Sequence, residues 1–467
     1  MFWSIMKRET LDHLTSLRLS LAFSLTTILM VVGALFFQTE YQRQLDDYSR
    51  RVNRSLMELA ERASAPWPLF QVFSWNMQLI YRRPDPLGFI AEGHEKDLPD
   101  AFRVNAFRLE GPEYTLRRNP LLWPFDSLDW AFIVSLILSF AALVLTYDGF
   151  SGEKERGTLR LVMSYPVSRD ILLLTKYMSA MIVLLLPLIV GVILSLLIIM
   201  SSGMVMLTAD MWMRIGQAFG LSTGVISTFV MLGLLISART KQPVTSLLVS
   251  LFVWVILVIV IPSGSSLLAK GLLKLPSREQ VLEEAARAAD EAFQSYNQRY
   301  PHPDNWIISG HWSPGEPLLR AFEIDEARGR VIEDYRNRML AQVELGRTIA
   351  RVSPSVLFVD ALERIAGSGL VHYASFLQQA RRYREAMKIF LNEAYPLDKV
   401  HPLDRTVIDP VLRQMTIEFD AIPKFEDRLP WGQEAISGIW WDASVLILIN
   451  LGLFIIAYVS FRRYDVR

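Results

Sequence analysis

The sequence has 467 residues, with 48 Lys and Arg against 48 Asp and Glu, so its formal net charge is zero. A neutral chain lacks the basic surface on which general nucleic-acid binding depends, and we expect no nucleic-acid partner. Hydrophobic residues make up 51% and charged residues 21%. This is too apolar for an ordinary soluble protein and too charged for a chain that lies wholly in lipid. The composition predicts a membrane protein with sizeable aqueous domains, and the absence of cysteine excludes disulfides and thiolate metal sites.

Six stretches free of Lys, Arg, Asp and Glu are long enough to cross about 30 Å of hydrocarbon. They predict membrane spans at residues 19–37, 130–147, 177–200, 215–237, 244–262 and 443–461. The first is interpreted as a mature span because Gly33–Phe37 is a poor signal-peptide cleavage site. The predicted fold class is an α-helical polytopic membrane protein with six transmembrane helices. A mainly helical extracytoplasmic domain with some β structure is expected to be built from two inserts.

Lys and Arg residues in the short connections between the predicted spans are concentrated on one side, which sets the expected orientation. On the cytoplasmic side we expect an interfacial amphipathic helix at 1–18, a coupling loop at 148–176, a turn at 238–243 and a tail at 462–467. The short outer loop 201–214 contains a single basic residue, Arg214. Both termini are therefore predicted to be cytoplasmic.

The two long segments, 38–129 and 263–442, are then extracytoplasmic. The first is predicted to continue the helix of the first span and to turn strand-like around 71–81 and 102–108. The second is predicted to be mostly helical, at 277–299, 322–351 and 371–395. Ser277 and Gln280 are placed to cap the first of these helices. Since apolar stripes on such helices must be buried, we expect the two segments to pack together as one domain.

The loop after the second predicted span holds the most informative motif. Gly152 and Gly157 allow tight turns, and Thr158 is placed to cap a short helix. The apolar face of that helix is predicted to consist of Leu159, Leu161, Val162 and Met163. Pro166 would end it, and Ser168 would cap the next helix, which begins at Arg169. The pattern predicts an amphipathic element across the cytoplasmic membrane face, on which a soluble partner could push.

Residues Glu153 to Leu159 read Glu-Lys-Glu-Arg-Gly-Thr-Leu, and Pro166-Val167-Ser168-Arg169 and Lys176-Tyr177 follow. This arrangement resembles the signature of permease subunits of type 2 ABC transporters, and the Lys7-Arg8-Glu9 helix resembles their N-terminal interfacial helix. The large outer segments depart from the compact family pattern. They are similar to a subgroup with a large extracytoplasmic insert, found among gliding-motility and nitrous-oxide-reductase-maturation permeases. That second resemblance is carried by Ser353-Pro354, the run Ile365 to Gly369, Phe376 and the ending 461–467.

The resemblance implies a permease of an ATP-driven exporter in the bacterial inner membrane, paired with a second copy or a homologous permease. It also implies separate ATPase subunits, two in number, that bind ATP and Mg²⁺, and an extracytoplasmic accessory protein is a further candidate partner. The permease itself is expected to be no enzyme and to hold no cofactor or metal. No GxxxxGK[ST] motif is present to bind a nucleotide, and the histidines are too dispersed for a recognisable metal-ligand spacing. The residues implied in ATPase coupling are Glu153, Lys154, Glu155, Arg156, Gly157, Thr158, Leu159, Val162, Met163, Pro166 and Arg169. Glu153, Glu155 and Arg156 would form a charged rim, while Leu159, Val162 and Met163 would form the apolar anchor.

Three alternatives remain at this stage. A transporter-like protein could transmit force or a signal without moving a substrate. Residues Phe2–Arg18 could serve as a membrane anchor, an ATPase contact or both. A membrane hydrolase would need an intramembrane base or metal cluster, and the predicted spans contain no Asp, Glu, His or Lys. The substrate is not identified, although spans without charge favour a bulky or amphiphilic cargo over an ion.

Overall fold

The computed structural model describes residues 2–64, 76–92, 98–113, 128–164, 168–300, 315–394, 418–429 and 433–462. Within these residues six helices are long and apolar enough to cross a membrane. We number them spans 1 to 6: Leu17–Ser64, Trp130–Glu155, Arg169–Ser201, Ala209–Arg239, Pro243–Leu272 and Gly438–Arg462. Each contains one of the charge-free stretches found in the sequence, which confirms the predicted fold class.

Span 1 is a single helix of 48 residues. At about 1.5 Å per residue it measures roughly 72 Å, more than twice the hydrocarbon thickness. Its first half lies in the bundle core through Met30 and Ala34, and its second half buries Leu59 and Ala63 in a separate cluster. The expectation that the helix runs on beyond the first span is confirmed.

Spans 2 and 5 each contain a π-helical turn, at Ile133–Leu138 and Ile256–Val260. The turn in span 5 leaves the Leu257 carbonyl available to partners outside the helix. The Ser353 hydroxyl donates to that carbonyl over 2.6 Å. Such turns commonly occur at functional positions, and this one ties span 5 to the second long segment.

The helices outside the spans, together with the last turn of span 2, are labelled α1 to α7 in chain order. They are α1 Phe2–Leu14, α2 Ser151–Glu155, α3 Thr158–Ser164, α4 Arg278–Arg299, α5 Gly315–Ala350, α6 Pro354–Ala366 and α7 Gly369–Ala394. Of these, α2 is the last turn of span 2. The predicted capping box at the start of α4 is confirmed. The backbone N–H of Gln280 donates to Ser277 Oγ, and the backbone N–H of Ser277 donates to Gln280 Oε1.

The first long segment also forms a small antiparallel sheet, in the order β1 (Gln78–Tyr81), β2 (Ala101–Val104) and β3 (Leu109–Glu113). The first two strands fall in the segments predicted to be strand-like, of which 71–75 lies outside the described residues. Gln78 pairs with Val104, and Val104 pairs with Leu109. β3 was not predicted.

The two long segments share one hydrophobic cluster. Leu59, Ile80 and Phe102 of the first segment pack with Phe376 and Tyr383 of the second. The expectation that the two segments pack together is confirmed. Burial of this apolar surface is the main term that stabilises the shared domain.

Helix α6 joins this shared domain to the spans. Phe358 and Leu362 are fully buried in the cluster that also contains the spans, and α6 packs against spans 4 and 6. Arg214 at the start of span 4 donates from Nη1 to the Ile365 carbonyl over 3.0 Å, at the C-terminal end of α6. Gly367 follows with φ +82°, a left-handed conformation that favours glycine as a helix terminator. A helix of the second segment is thus part of the bundle core.

Candidate functional site

At one end of the bundle α1, α2 and α3 meet the ends of spans 3, 4 and 6. Arg18 donates from Nη1 to Asp148 Oδ2 over 2.8 Å, which joins the start of span 1 to the end of span 2. The rings of Phe150 and Phe461 lie 4.5 Å apart between their centroids. The described N-terminal helix and the last turn of span 6 therefore lie at the same end as the motif loop.

A buried ion triad lies at the centre of this end. Lys176 of span 3 places Nζ 2.9 Å from Glu9 Oε1 on α1 and 2.7 Å from Glu153 Oε1 on α2, and its side chain is only 5% exposed. A buried charge is tolerated only where it is paired in this way. Burial also lowers the pKa of His13 on α1, while the neighbouring Glu9 opposes that shift. The triad links three elements that are distant in sequence.

Helix α2 is also fastened to the end of span 4. Lys154 donates from Nζ to the carbonyls of Ser237, Ala238 and Thr240 over 3.3, 2.5 and 3.0 Å. These carbonyls lie at the C-terminal end of a helix, where a cation complements the helix dipole. The Ser237 hydroxyl also accepts hydrogen bonds from the amides of Phe150 and Ser151, both over 3.0 Å.

Arg169 performs a similar role for span 6. Its Nη1 donates to the carbonyls of Phe461 and Arg462 over 3.0 and 2.6 Å, at the end of that helix. Span 3 begins at Arg169 as predicted, but the Ser168 hydroxyl makes no capping hydrogen bond. Pro166, predicted to end α3, lies outside the described residues.

Gly157 separates α2 from α3 and has φ +71°, so the predicted tight turn is present at a position that favours glycine. Leu159, Val162 and Met163 follow at helical spacing and face the bundle, and Leu159 is only 2% exposed in its core. Leu161 points away and is 64% exposed. The prediction that Leu161 belongs to the apolar face is wrong, because residue 161 lies on the opposite side of the helix from Leu159.

This geometry changes the roles assigned to individual residues. Leu159 is committed to this chain's own core, so its side chain is not available as an anchor for another protein. Glu153 and Lys154 are turned inward to Lys176 and to the end of span 4. What faces outward is an exposed ridge, consisting of Glu155, Arg156, Thr158, Arg160 and Leu161. Arg156 also donates from Nε to the Gly152 carbonyl over 3.1 Å, which holds its stem against α2.

Sequence reasoning missed Lys176, Glu9 and Ser237 as site residues. A signal was available for the lysine, because it directly precedes the charge-free stretch 177–200 on the same helix, and charges at such positions are commonly paired and functional. Nothing local in the sequence identified Glu9, which comes from α1.

Spans 3, 4 and 6 line an apolar groove of about 510 Å³. A polar network crosses it, in which Asn450 Oδ1 accepts from the Ser227 hydroxyl over 2.7 Å. Asn450 Nδ2 donates to Thr228 Oγ1 over 2.8 Å, and the Tyr177 and Ser227 hydroxyls are 2.7 Å apart. No group of His, Asp and Glu suited to a metal ion occurs among the described residues.

Comparison with known proteins agrees with this architecture. Residues 3–466 match the model of the family described as ABC-2 family transporter protein. Over 59 residues the chain is 37% identical to a protein of Pseudomonas aeruginosa named "Probable ABC transporter permease protein NosY". That stretch is 13% of this chain and 22% of the relative, so the match spans about a fifth of the relative's length. The chain therefore belongs to the ABC-2 family of transporter proteins, as a multi-pass ABC transporter permease.

Proposed function

We propose that this permease couples ATP hydrolysis by separate ATPase subunits to export of a substrate across the cytoplasmic membrane. The observation that carries the proposal is the exposed ridge, which lies on a short element joined covalently to spans 2 and 3. Its outward side offers one apolar side chain, Leu161, among charged and polar neighbours. Such a surface suits reversible contact with a soluble partner, in which the apolar residue anchors and the charges orient.

The clamps behind the ridge support a mechanism of force transfer. A push on α2 and α3 reaches span 3 through Glu153 and Lys176, and it reaches span 4 through Lys154. Arg169 passes the movement of span 3 to the end of span 6. Because each clamp is a charged hydrogen bond, the elements move together rather than slide past one another.

The proposed orientation places this end of the bundle in the cytoplasm. It gathers the basic flanks of the spans, among them Lys7, Arg8, Lys154, Arg169 and Arg239, as the positive-inside rule requires. Both termini are then cytoplasmic, and the domain containing α4, α5 and α7 is extracytoplasmic. The membrane proposed is the inner membrane of a bacterium.

The assembly proposed contains two ATPase subunits, which bind ATP and Mg²⁺, and two permeases, either two copies of this chain or one copy with a homologue. An accessory protein on the extracytoplasmic domain would complete it. The substrate class proposed is bulky or amphiphilic, and it is supported by the apolar groove with its polar network. A charged ion would find no ionised partner along those lining residues.

A second candidate function is transmission of force to the outside without a translocated substrate. It is favoured by the unbroken helix Leu17–Ser64, which runs from the bundle core into the outer domain. ATP hydrolysis by the reconstituted complex with no compound moved across the vesicle membrane would favour this function over export.

The test of coupling is Leu161→Asp in the full complex, read out by co-purification with the ATPase and by its stimulated hydrolysis. We expect both to fall by about tenfold or more, because an ionised carboxylate replaces the apolar anchor of the contact. The matched control is Leu282→Asp on α4, also an exposed leucine, at 47%, but in the outer domain. It should leave both readouts unchanged. If Leu161→Asp binds and stimulates the ATPase like the parent, the docking role of the ridge is wrong.

A further inference from the structure

A second cavity, of about 570 Å³, lies where span 5 meets α5 and α6. Its volume falls within the range of about 300–1,000 Å³ that is usual for small-molecule sites. One part of its wall belongs to the spans and is largely apolar, with Val258 and Pro262 from span 5, and α6 adds Val356 and Val359. This part of the cavity suits a hydrocarbon chain.

The other part of the wall is polar and contains an unsatisfied acceptor. Asp360 on α6 is only 5% exposed, and its Oδ2 accepts no hydrogen bond from the described residues. Arg351 Nε is 3.7 Å from that oxygen, beyond hydrogen-bond distance. Arg347 donates from Nη2 to Glu363 Oε2 over 2.6 Å, and its Nη1 lies 3.5 Å from the other carboxylate oxygen of Asp360, Oδ1, so Oδ2 is the oxygen left without a donor. A buried carboxylate oxygen left without a donor is costly, so a donor from outside the chain fits this position.

Lys270 supplies the opposite charge at the same cavity. It is an exposed residue on the last turns of span 5. The cavity therefore offers an acceptor at Asp360, a cation at Lys270 and an apolar wall. These three features complement an amphiphile whose headgroup carries both a donor and an anion.

The apolar side of span 5 is open to its surroundings, because span 5 is the least buried of the six described spans, with 11% of its apolar window buried inside the chain. Phe252 and Val260 on the same helix are 67% and 52% exposed. Apolar side chains of a spanning helix that face away from the protein lie against acyl chains or another apolar surface. A lipid chain beside span 5 could enter the cavity without crossing water.

We propose that this cavity binds a phospholipid with a primary-amine headgroup. The ammonium donates to Asp360 Oδ2, the phosphate pairs with Lys270, and one acyl chain lies over Val258, Pro262 and Val359. The site concerns lipid binding alone, and it stands independently of ATPase docking at the opposite end of the bundle.

The test compares two lipids that differ only in the donor. The full-length permease is placed in nanodiscs containing equal amounts of phosphatidylethanolamine and phosphatidylcholine with the same acyl chains. A trace of either lipid carries a photoreactive group in its tail, and labelled peptides are quantified by mass spectrometry. We expect phosphatidylethanolamine to label span 5, α5 and α6 about tenfold more strongly, because the quaternary ammonium of phosphatidylcholine has no N–H to donate.

Variants at the two headgroup contacts sharpen the test. Asp360→Asn and Lys270→Gln should each reduce the labelling of these helices by phosphatidylethanolamine several-fold, and Asp360→Asn should also remove the preference over phosphatidylcholine. Lys274→Gln is the matched control, an exposed lysine one turn further on that does not line the cavity, and it should behave like the parent. Since Lys270 is exposed, Lys270→Gln is expected to fold even if Asp360→Asn does not. Equal labelling by the two lipids, labelling confined to other helices, or unchanged labelling in Lys270→Gln would overturn the proposal.

Discussion

Replacing Lys176 by methionine is expected to destabilise the permease more than any change to an exposed ion pair. Methionine keeps most of the volume of the side chain but leaves Glu9 and Glu153 facing each other without a cation. Their carboxylates are 21% and 16% exposed, and the lysine is 5% exposed, so little water is available to replace it. Removing one partner of a buried ion pair typically costs about 3–5 kcal/mol, and we expect a loss of about 3 kcal/mol because the glutamates keep some solvent contact.

The assay is the free energy of unfolding of the purified permease in detergent, measured by denaturant titration. Arg43→Met is the matched control, because Arg43 pairs with Glu40 over 3.2 Å but is 74% exposed. Exposed pairs of this kind are worth about 0–1 kcal/mol, so this variant should unfold almost like the parent. The triple variant with Glu9→Gln, Glu153→Gln and Lys176→Met removes all three charges together and should recover most of the lost stability.

The triple variant also separates stability from coupling. It restores a neutral interior but not the charged clamp, so stimulated ATPase activity should remain low in a protein that is stable. A loss of less than about 1 kcal/mol in Lys176→Met would refute the reasoning, because it would mean that the triad is solvated like a surface pair. Normal coupling in the triple variant would refute the role of the triad in force transfer.

Two further predictions follow from backbone strain and from a buried acid. Gly157→Ala should lower the free energy of unfolding by about 1 kcal/mol, because a backbone with φ +71° disfavours an L side chain. The space around the added Cβ is open, with no atom within 4 Å, so the cost comes from the backbone alone. An unchanged thermal unfolding midpoint would contradict this strain. Burial raises the pKa of Asp360 to about 6 from 3.8, so the folded protein holds this proton more tightly than the unfolded chain does. The resulting stability, on the order of 3 kcal/mol, is present below about pH 4 and is lost as the pH rises through about 6. In Asp360→Asn the free energy of unfolding, measured by denaturant titration, should differ less between those two pH values than it does in the parent. The same pH dependence in both proteins would contradict the raised pKa.

The sequence was sufficient to predict the spans and the turn at Gly157. Charge-free runs of this length have few alternatives to crossing a membrane. Gly157 predicts a turn because glycine adopts the left-handed backbone conformation at little cost. The direction in which each side chain of the motif points was harder to predict. A helical pattern shows that Leu159, Val162 and Met163 share a face, but the same pattern fits a face turned to a partner and a face turned to the chain's own core.

Two other features depend on contacts that no local pattern contains. The π-helical turns in spans 2 and 5 were not predicted, because the composition and charge of these stretches do not distinguish a π-helix from an α-helix. The hydrogen bond from the Ser353 hydroxyl to the Leu257 carbonyl shows that the second turn ties span 5 to the second long segment. Helix α6 was not predicted, because only 277–299, 322–351 and 371–395 of its segment were assigned to helices from the sequence. Its position in the bundle core follows from Arg214 and from the fit of Phe358 and Leu362 against spans 4 and 6.

The unbroken helix Leu17–Ser64 has a mechanical consequence. An uninterrupted α-helix behaves as a stiff rod, and it has no interior proline at which to bend. If its inner end turns by about 5°, its far end, roughly 72 Å away, is displaced by about 6 Å. That far end carries Leu59 and Ala63 into the core of the domain that the two long segments share, so a small tilt among the spans becomes a displacement of several ångströms in that domain. Span 1 is in this sense a lever, with one arm among the other spans and the other arm in the shared domain.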